Sequence, residues 1–147
     1  MMANLMHVSL RQITPYASEA TIGRHTLVVD RPVAKGGTDD GPMGGDYFLT
    51  SVGGCFLSTL LAAIRAREAA VSEVRVEVTG AVDGSPARFT RIELEVSGGG
   101  DAEQLAQLLA VADKGCIMMN TLRGTLDLTI RAAAWGFACR RRRWLRR

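Results

Sequence analysis

The sequence predicts an α+β fold, and three observations carry that prediction. Apolar and polar residues alternate with period two on both sides of a turn near residues 83–86. Residues 46–68 are apolar around most of a helical circumference. The order is strands, a long helix, a hairpin, further helices and a last strand, not a regular strand–helix repeat.

Residues 5–31 read as strand material. The clearest piece is His25-Thr-Leu-Val-Val-Asp30, rich in β-branched residues. Residues 5–13 form a further strand, and 17–23 a third strand or a turn. Residues 36–45, with five glycines and a proline, form a loop, because both residue types weaken helix and strand alike. The helix at 46–68 opens on Asp46, an acidic residue suited to the positive end of the dipole, and closes on Arg65 and Arg67. Phe48, Leu49, Val52, Phe56, Leu57, Leu60, Leu61 and Ile64 lie all round it, which predicts a buried helix. Gly53 and Gly54 in its middle each cost about 1 kcal/mol against alanine, so another backbone is expected to pack closely there.

Val74, Val76 and Val78 alternate with Arg75, Glu77 and Thr79, and Ile92, Leu94 and Val96 with Arg91, Glu93 and Glu95. This is a β-hairpin with one solvated face. Gly98-Gly-Gly100 is expected to end it. Asp101 then caps a helix through about residue 113, with Leu105, Leu108, Leu109 and Ala112 on one face. Lys114-Gly115 should break that helix, residues 116–122 form a short helical turn, and Leu126, Leu128 and Ile130 mark a last strand.

At 147 residues and 47% hydrophobic content the chain fits a single domain with a real core, expected over residues 1–134. The net charge of +3 is set by six arginines in the last eight residues; without them the balance is −3. A mildly acidic body with a basic tail at 135–147 is not a nucleic-acid-binding face, and no nucleic-acid partner is expected. The tail reads as a dispensable solvated appendage, and its Cys139 as incidental. No uninterrupted apolar run reaches the roughly 18 residues a membrane span needs, and no basic-then-apolar leader opens the chain. A cytoplasmic protein without a membrane partner is expected.

Cys55, Cys116 and Cys139 form no CxxC pair and lie far from His7 and His25, so neither a disulfide framework nor a metal site is expected, and no cofactor. Cys55 lies in the apolar helix and Cys116 near the start of a helical turn, where a dipole and free N–H groups lower a thiol's pKa. Two readings fit. Cys55 reacts and Cys116 resolves, as a redox pair, or both are small buried hydrophobes.

The stretches VDRPVAKGGTDDGPMGGDYFLTSVGGCFLSTLLAA and ADKGCIMMNTL resemble the OsmC/Ohr family of thiol-dependent peroxidases, over roughly residues 20–131. The shared pattern is a Gly-rich loop, an acidic residue, an apolar helix carrying the first cysteine, a hairpin, and a second cysteine near a helix start. The resemblance implies an intertwined homodimer with an antiparallel sheet, a long buried central helix and active sites at the subunit interface. It implies that Cys55 attacks an organic hydroperoxide and becomes a sulfenic acid. Cys116 then condenses with it, and a thiol or dithiol, in some members a dihydrolipoyl one, resets the pair. It also implies a carboxylate and an arginine beside the thiolate. Where the family commonly has Asn-Pro-Glu, this chain has Met43-Gly44-Gly45-Asp46, so Asp46 is the nearest match, with a plain helix cap as its other reading. Arg31 is the first candidate for the arginine and Arg24 the second; solvated surface arginines are the other reading of both. The chain resembles a less characterised branch of the family. On the same scaffold, a non-catalytic protein binding an apolar ligand at the dimer interface is the competing class.

Overall fold

The computed structural model describes residues 3–134; the basic tail and Cys139 lie outside them. The element order is β1 (Ser9–Gln12), β2 (Ser18–Ile22), β3 (His25–Val29), a 3-10 turn (Val33–Lys35), α1 (Gly44–Ala66), β4 (Val71–Asp83), β5 (Arg88–Gly100), α2 (Ala102–Gly115), α3 (Ile117–Leu122) and β6 (Asp127–Ala132). The chain divides into two compact units, Met1–Phe48 and Leu49–Arg147. The α+β class is as the alternation and helix periods predict.

In the first unit, β1, β2 and β3 form an antiparallel sheet in sequence order. Leu10, Ala20 and Leu27 stand opposite one another, so they share a face. Ala20 is buried, but Leu10 is 61% exposed and Leu27 38%. Arg11 and Glu19, paired on the other face, form an exposed ion pair at 2.7 Å. Tyr47, in the first turns of α1, donates its hydroxyl to the Val28 carbonyl at 2.8 Å and ties the helix start to β3.

In the second unit, the sheet order is β4-β5-β6. One face carries the rows Val76–Val96–Ala132, Val78–Leu94–Ile130 and Gly80–Ile92–Leu128. Ile92, Leu94 and Val96 on the central strand are fully buried. The other face is charged, with Glu77 opposite Glu95 and Arg131 donating to Glu95 at 2.9 Å. An all-antiparallel sheet was expected, but β6 runs parallel to β5. The connection between them holds two helices and is long enough for the crossover that parallel pairing requires.

Helix α1 buries Val52, Gly53, Phe56, Leu60, Ala63 and Ile64, spaced three and four residues apart along one face. Gly53 is the point of closest approach: a Cβ there would lie 2.6 Å from the Val78 Cγ2 on β4. Gly54 has open space around it, so only the first of the two glycines is explained by packing, and the neighbour of Gly53 is a valine side chain where another backbone was expected. Burial all round the helix, as the sequence suggested, is not seen within the chain: Gly54, Ser58, Leu61 and Ala62 are exposed. At 23 residues α1 is also long and apolar enough to cross a bilayer by length and composition. The apolar run is interrupted by Thr50, Ser51, Gly53, Gly54, Ser58 and Thr59, which scarcely lower its mean hydropathy.

The glycine triplet ends β5 as expected, at Gly100, with Gly99 and Gly100 still paired to Ser72 and Val71. A Cβ at Gly98 would press on the Ser72 carbonyl at 3.3 Å and the Leu105 Cδ2 at 3.4 Å. Glycine there admits the close approach of β4 and α2. Asp101 caps α2 as expected, its carboxylate accepting from the Glu103 and Gln104 N–H groups. Helix α2 runs on through Lys114 and Gly115, and the break falls at Cys116, whose backbone is extended at φ −82 and ψ 123.

Candidate functional site

Two packing facts in the second unit bring distant residues together. The end of α2 lies against α1: a Cβ on Gly115 would sit 3.2 Å from the Thr59 Cγ2. Thr59 is one turn beyond Cys55 and donates its hydroxyl back to the Cys55 carbonyl at 3.0 Å. The residue after Gly115 is Cys116, which closes α2 with its N–H on the Ala112 carbonyl and opens α3 by accepting from the Asn120 N–H. At that joint the Cys116 thiol points to α1 and lies 3.4 Å from the Cys55 sulfur, both cysteines being free thiols.

The two thiols have unlike surroundings. Cys116 is wholly shielded, with fully buried Ala112 and Met119 on either side of it in sequence. Cys55 is half-buried. Burial pushes the Cys116 thiol pKa up and its hydrogen bond with Cys55 adds to the shift, against the opposing pull of the Met119 and Met118 N–H groups. Cys116 therefore stays protonated and donates to the Cys55 sulfur. A disulfide bond is about 2.05 Å long, so some 1.4 Å of closure, within reach of side-chain rotation, separates this pair from a bond.

The other candidates lie in the first unit. Asp46 accepts from the Met43 N–H at 2.9 Å, while Met43's carbonyl receives the Asp46 and Tyr47 N–H groups. That is the third-position half of a capping box, so the cap reading of Asp46 has its geometry. Arg31 follows β3 and is exposed; its N–H donates to the Asp30 carboxylate at 2.7 Å and its carbonyl accepts from the Asp39 N–H. Arg24 sits in the exposed turn between β2 and β3.

Asp30 was missed by the sequence reading, which took it as the end of a strand. It is 2% exposed and is the buried charged residue among those described. Its carboxylate accepts from the Arg31 N–H, the Thr38 N–H and hydroxyl, and the Asp40 N–H, so it closes the loop that carries Arg31. These bonds, led by the Thr38 hydroxyl, hold its pKa down at about 2. A folded pKa below the ordinary 3.8 stabilises the folded state above about pH 4, and the contribution is lost as pH falls toward 2. We expect the urea midpoint of Asp30→Asn to be lower than wild type at neutral pH and to change less between pH 4 and pH 2.5. An equal loss in both proteins over that interval would refute a structural role for the charge. A sequence signal exists only in hindsight: a strand ending in aspartate, followed by threonine and aspartate on a Gly-rich loop.

Among the described residues no group of three or more His, Cys, Asp or Glu side chains could hold a metal. A cleft of the first unit is lined by Ser18, Asp30, Arg31 and Lys35 with the glycines that open α1.

The family model for OsmC-like proteins matches residues 37–131, a span that includes both cysteines and all of α1. No curated protein matches the chain. An OsmC-like protein from Mycoplasma pneumoniae superposes with a TM-score of 0.78 at 18% identity, covering 90% of this chain and 99% of that one. An organic hydroperoxide resistance protein OsmC from Legionella pneumophila gives 0.72 at 18% identity, covering 90% and 99%. An organic hydroperoxide resistance protein from Elizabethkingia anophelis gives 0.70 at 21% identity, covering 90% and 100%. At these identities the likeness is one of fold.

Proposed function

Because the chain belongs to the OsmC-like protein family, we propose that it is a thiol-dependent peroxidase that reduces organic hydroperoxides through a cycle of its two facing cysteines. The observation that carries this reading is the 3.4 Å separation of two free thiols, one shielded and one half-buried. The Cys55 thiolate attacks the terminal oxygen of the hydroperoxide; the O–O bond breaks, the expelled alkoxide takes up a proton and leaves as the alcohol, and Cys55 becomes a sulfenic acid. Cys116 sulfur then displaces water from it and forms the disulfide before further oxidation occurs. A dithiol reductant returns both cysteines to thiols. The test is direct: with dithiothreitol present the protein should consume cumene hydroperoxide, and without it one equivalent should leave a Cys55–Cys116 disulfide on peptide mapping. Neither consumption nor disulfide would refute the reading.

Arg31 is proposed as the cation on which the Cys55 thiolate depends, with Asp46 as the residue that orders the helix start. Arg31→Ala should then slow iodoacetamide alkylation of Cys55 at neutral pH about tenfold, and Asp46→Ala should slow it less. An effect of Arg24→Ala in place of Arg31→Ala moves the role to the other arginine. No effect of either makes Cys55 a structural thiol and favours the ligand-binding class.

The protein is further proposed to be an obligate homodimer. Leu10, Ile22 and Leu27 on the first sheet and Leu61 on α1 expose large apolar side chains, the kind of surface a second copy covers. Multi-angle light scattering should give twice the chain mass at micromolar concentration, and a stable monomer there would refute the proposal.

A further inference from the structure

We propose that Thr59 and Gly115 set the distance between the two cysteine sulfurs, with Thr59 as the stop against which the end of α2 rests. Both are positioning residues. Their place in a peroxide cycle rests on the reading above, but the contact between them acts on any closure of the Cys55–Cys116 bond.

Each residue stands close to a cysteine in the chain. Gly115 precedes Cys116, and Thr59 follows Cys55 by one turn of α1. The Thr59 hydroxyl donates to the Cys55 carbonyl at 3.0 Å, which holds this β-branched side chain in one orientation. Its Cγ2 methyl then faces the end of α2, where a Cβ on Gly115 would lie 3.2 Å away. Among the described residues, α2's own backbone and the chain neighbours aside, that methyl is the one atom such a Cβ would meet within 4 Å. The backbone itself does not call for glycine. Gly115 is the last residue of α2, its φ lies outside the left-handed region, and alanine is the better helix former. Glycine there answers a need for space, and that space lets Cys116 come within 3.4 Å of Cys55.

A displacement at Gly115 carries to the sulfur. Cys116 is held at the α2–α3 joint by its N–H on the Ala112 carbonyl and by its carbonyl, which accepts from the Asn120 N–H. The Asn120 side chain donates to the Lys114 carbonyl at 3.0 Å, so α3 moves with the end of α2. Cys116 is wholly shielded, as are Ala112 and Met119, and has little room to turn. The turning that closes the bond falls to half-buried Cys55, and a joint set further back adds to the distance it must cover. Carbon atoms rest about 3.5–4.0 Å apart, so an alanine at 115 moves the joint off Thr59 by about half an ångström. A 1 Å misplacement of reacting groups can cost about a hundredfold in rate, so this shift is expected to cost on the order of tenfold.

The experiment compares the full chain with Gly115→Ala and with Gly115→Ala combined with Thr59→Ser, which removes the methyl and keeps the hydroxyl. In excess diamide the Cys55 thiol adds across the N=N bond and the Cys116 sulfur expels the hydrazine. Two electrons pass from the thiol pair to the diamide, and the closing step is read without a peroxide. Acid quenching, alkylation and peptide mapping follow the Cys55–Cys116 disulfide in time, with Cys139 read as a separate peptide. Gly115→Ala is expected to close about tenfold more slowly than wild type, and the double variant at close to the wild-type rate. With cumene hydroperoxide the single variant should gain more sulfinic acid at Cys55 than the double variant. The melting temperature of Gly115→Ala should not fall below that of wild type, because alanine favours the helix. An unchanged closing rate in Gly115→Ala overturns the proposal, as does slow closing that Thr59→Ser fails to relieve. Slow closing together with a lowered melting temperature makes the contact ordinary packing and overturns it as well. A protein that shows the diamide pattern but ignores cumene hydroperoxide refutes the peroxidase reading and leaves this one standing.

Discussion

Cys55→Ser is expected to consume no cumene hydroperoxide, with turnover at the buffer background. A serine hydroxyl has no accessible anionic form at neutral pH and cannot carry the sulfenic acid. Cys116→Ser should behave differently. It keeps the attacking sulfur and loses the thiol 3.4 Å away that traps the product. One equivalent of peroxide should be consumed, and the protein should then gain oxygen at Cys55 as sulfinic acid, visible by mass spectrometry. The two variants separate the roles: full activity in Cys55→Ser would refute the assignment of the attacking sulfur, and sustained turnover in Cys116→Ser without over-oxidation would refute that of the trap.

Phe56→Ala should lower stability by about 3–5 kcal/mol, which for a chain of this size is roughly 10–20 °C in the melting temperature. Phe56 is the largest of the fully buried side chains, in the core with Leu60, Ile92 and Leu94. Truncation removes its transfer energy and leaves a cavity between a helix and a sheet that Gly53 holds in close contact. Phe56→Leu should cost much less, because most of the volume is kept. Differential scanning calorimetry distinguishes the outcomes; a shift for Phe56→Ala no larger than that of Phe56→Leu would mean the core closes over the gap. Phe56 is also the residue after Cys55, so its anchorage fixes which side of α1 the thiol occupies.

Much of this was legible in the sequence because it depends on local periods. Period-two runs marked β4, β5 and β6, the apolar stretch from Phe48 to Ile64 marked α1, and Asp101 marked the start of α2. The helix contexts of Cys55 and Cys116 were readable too. Their meeting was not, since it follows from the end of α2 packing on Thr59, a contact between residues far apart in the chain. The parallel partner of β6 was hidden because alternation tells which face a residue takes and not the direction of its neighbour. Gly98, Gly99 and Gly100 looked like a strand end, and β5 does end at Gly100, but Gly99 and Gly100 still pair in the ladder. Asp30 was one acidic residue among several near a loop, and only three-dimensional closure singles it out. Counting apolar runs also undervalued α1, where small residues replace large ones without adding charge.

The parallel pairing of β6 has a consequence for how the second unit comes into being. The β4–β5 hairpin joins neighbours in the chain and can zip as soon as both strands exist. The third strand docks on partners 36 residues upstream, as Arg131 does on Glu95. Its loop-closure entropy must be met before Leu128 and Ile130 return anything. Folding should therefore run in two tempos, an early hairpin and helix followed by a slower docking of the last strand. Until that docking, the outer edge of β5 is an open edge with unpaired backbone groups, in a chain whose α1 is its most apolar segment. The interval before β6 arrives is when the nascent protein is most exposed to aggregation, and shortening the crossover by trimming its loops would shorten that interval.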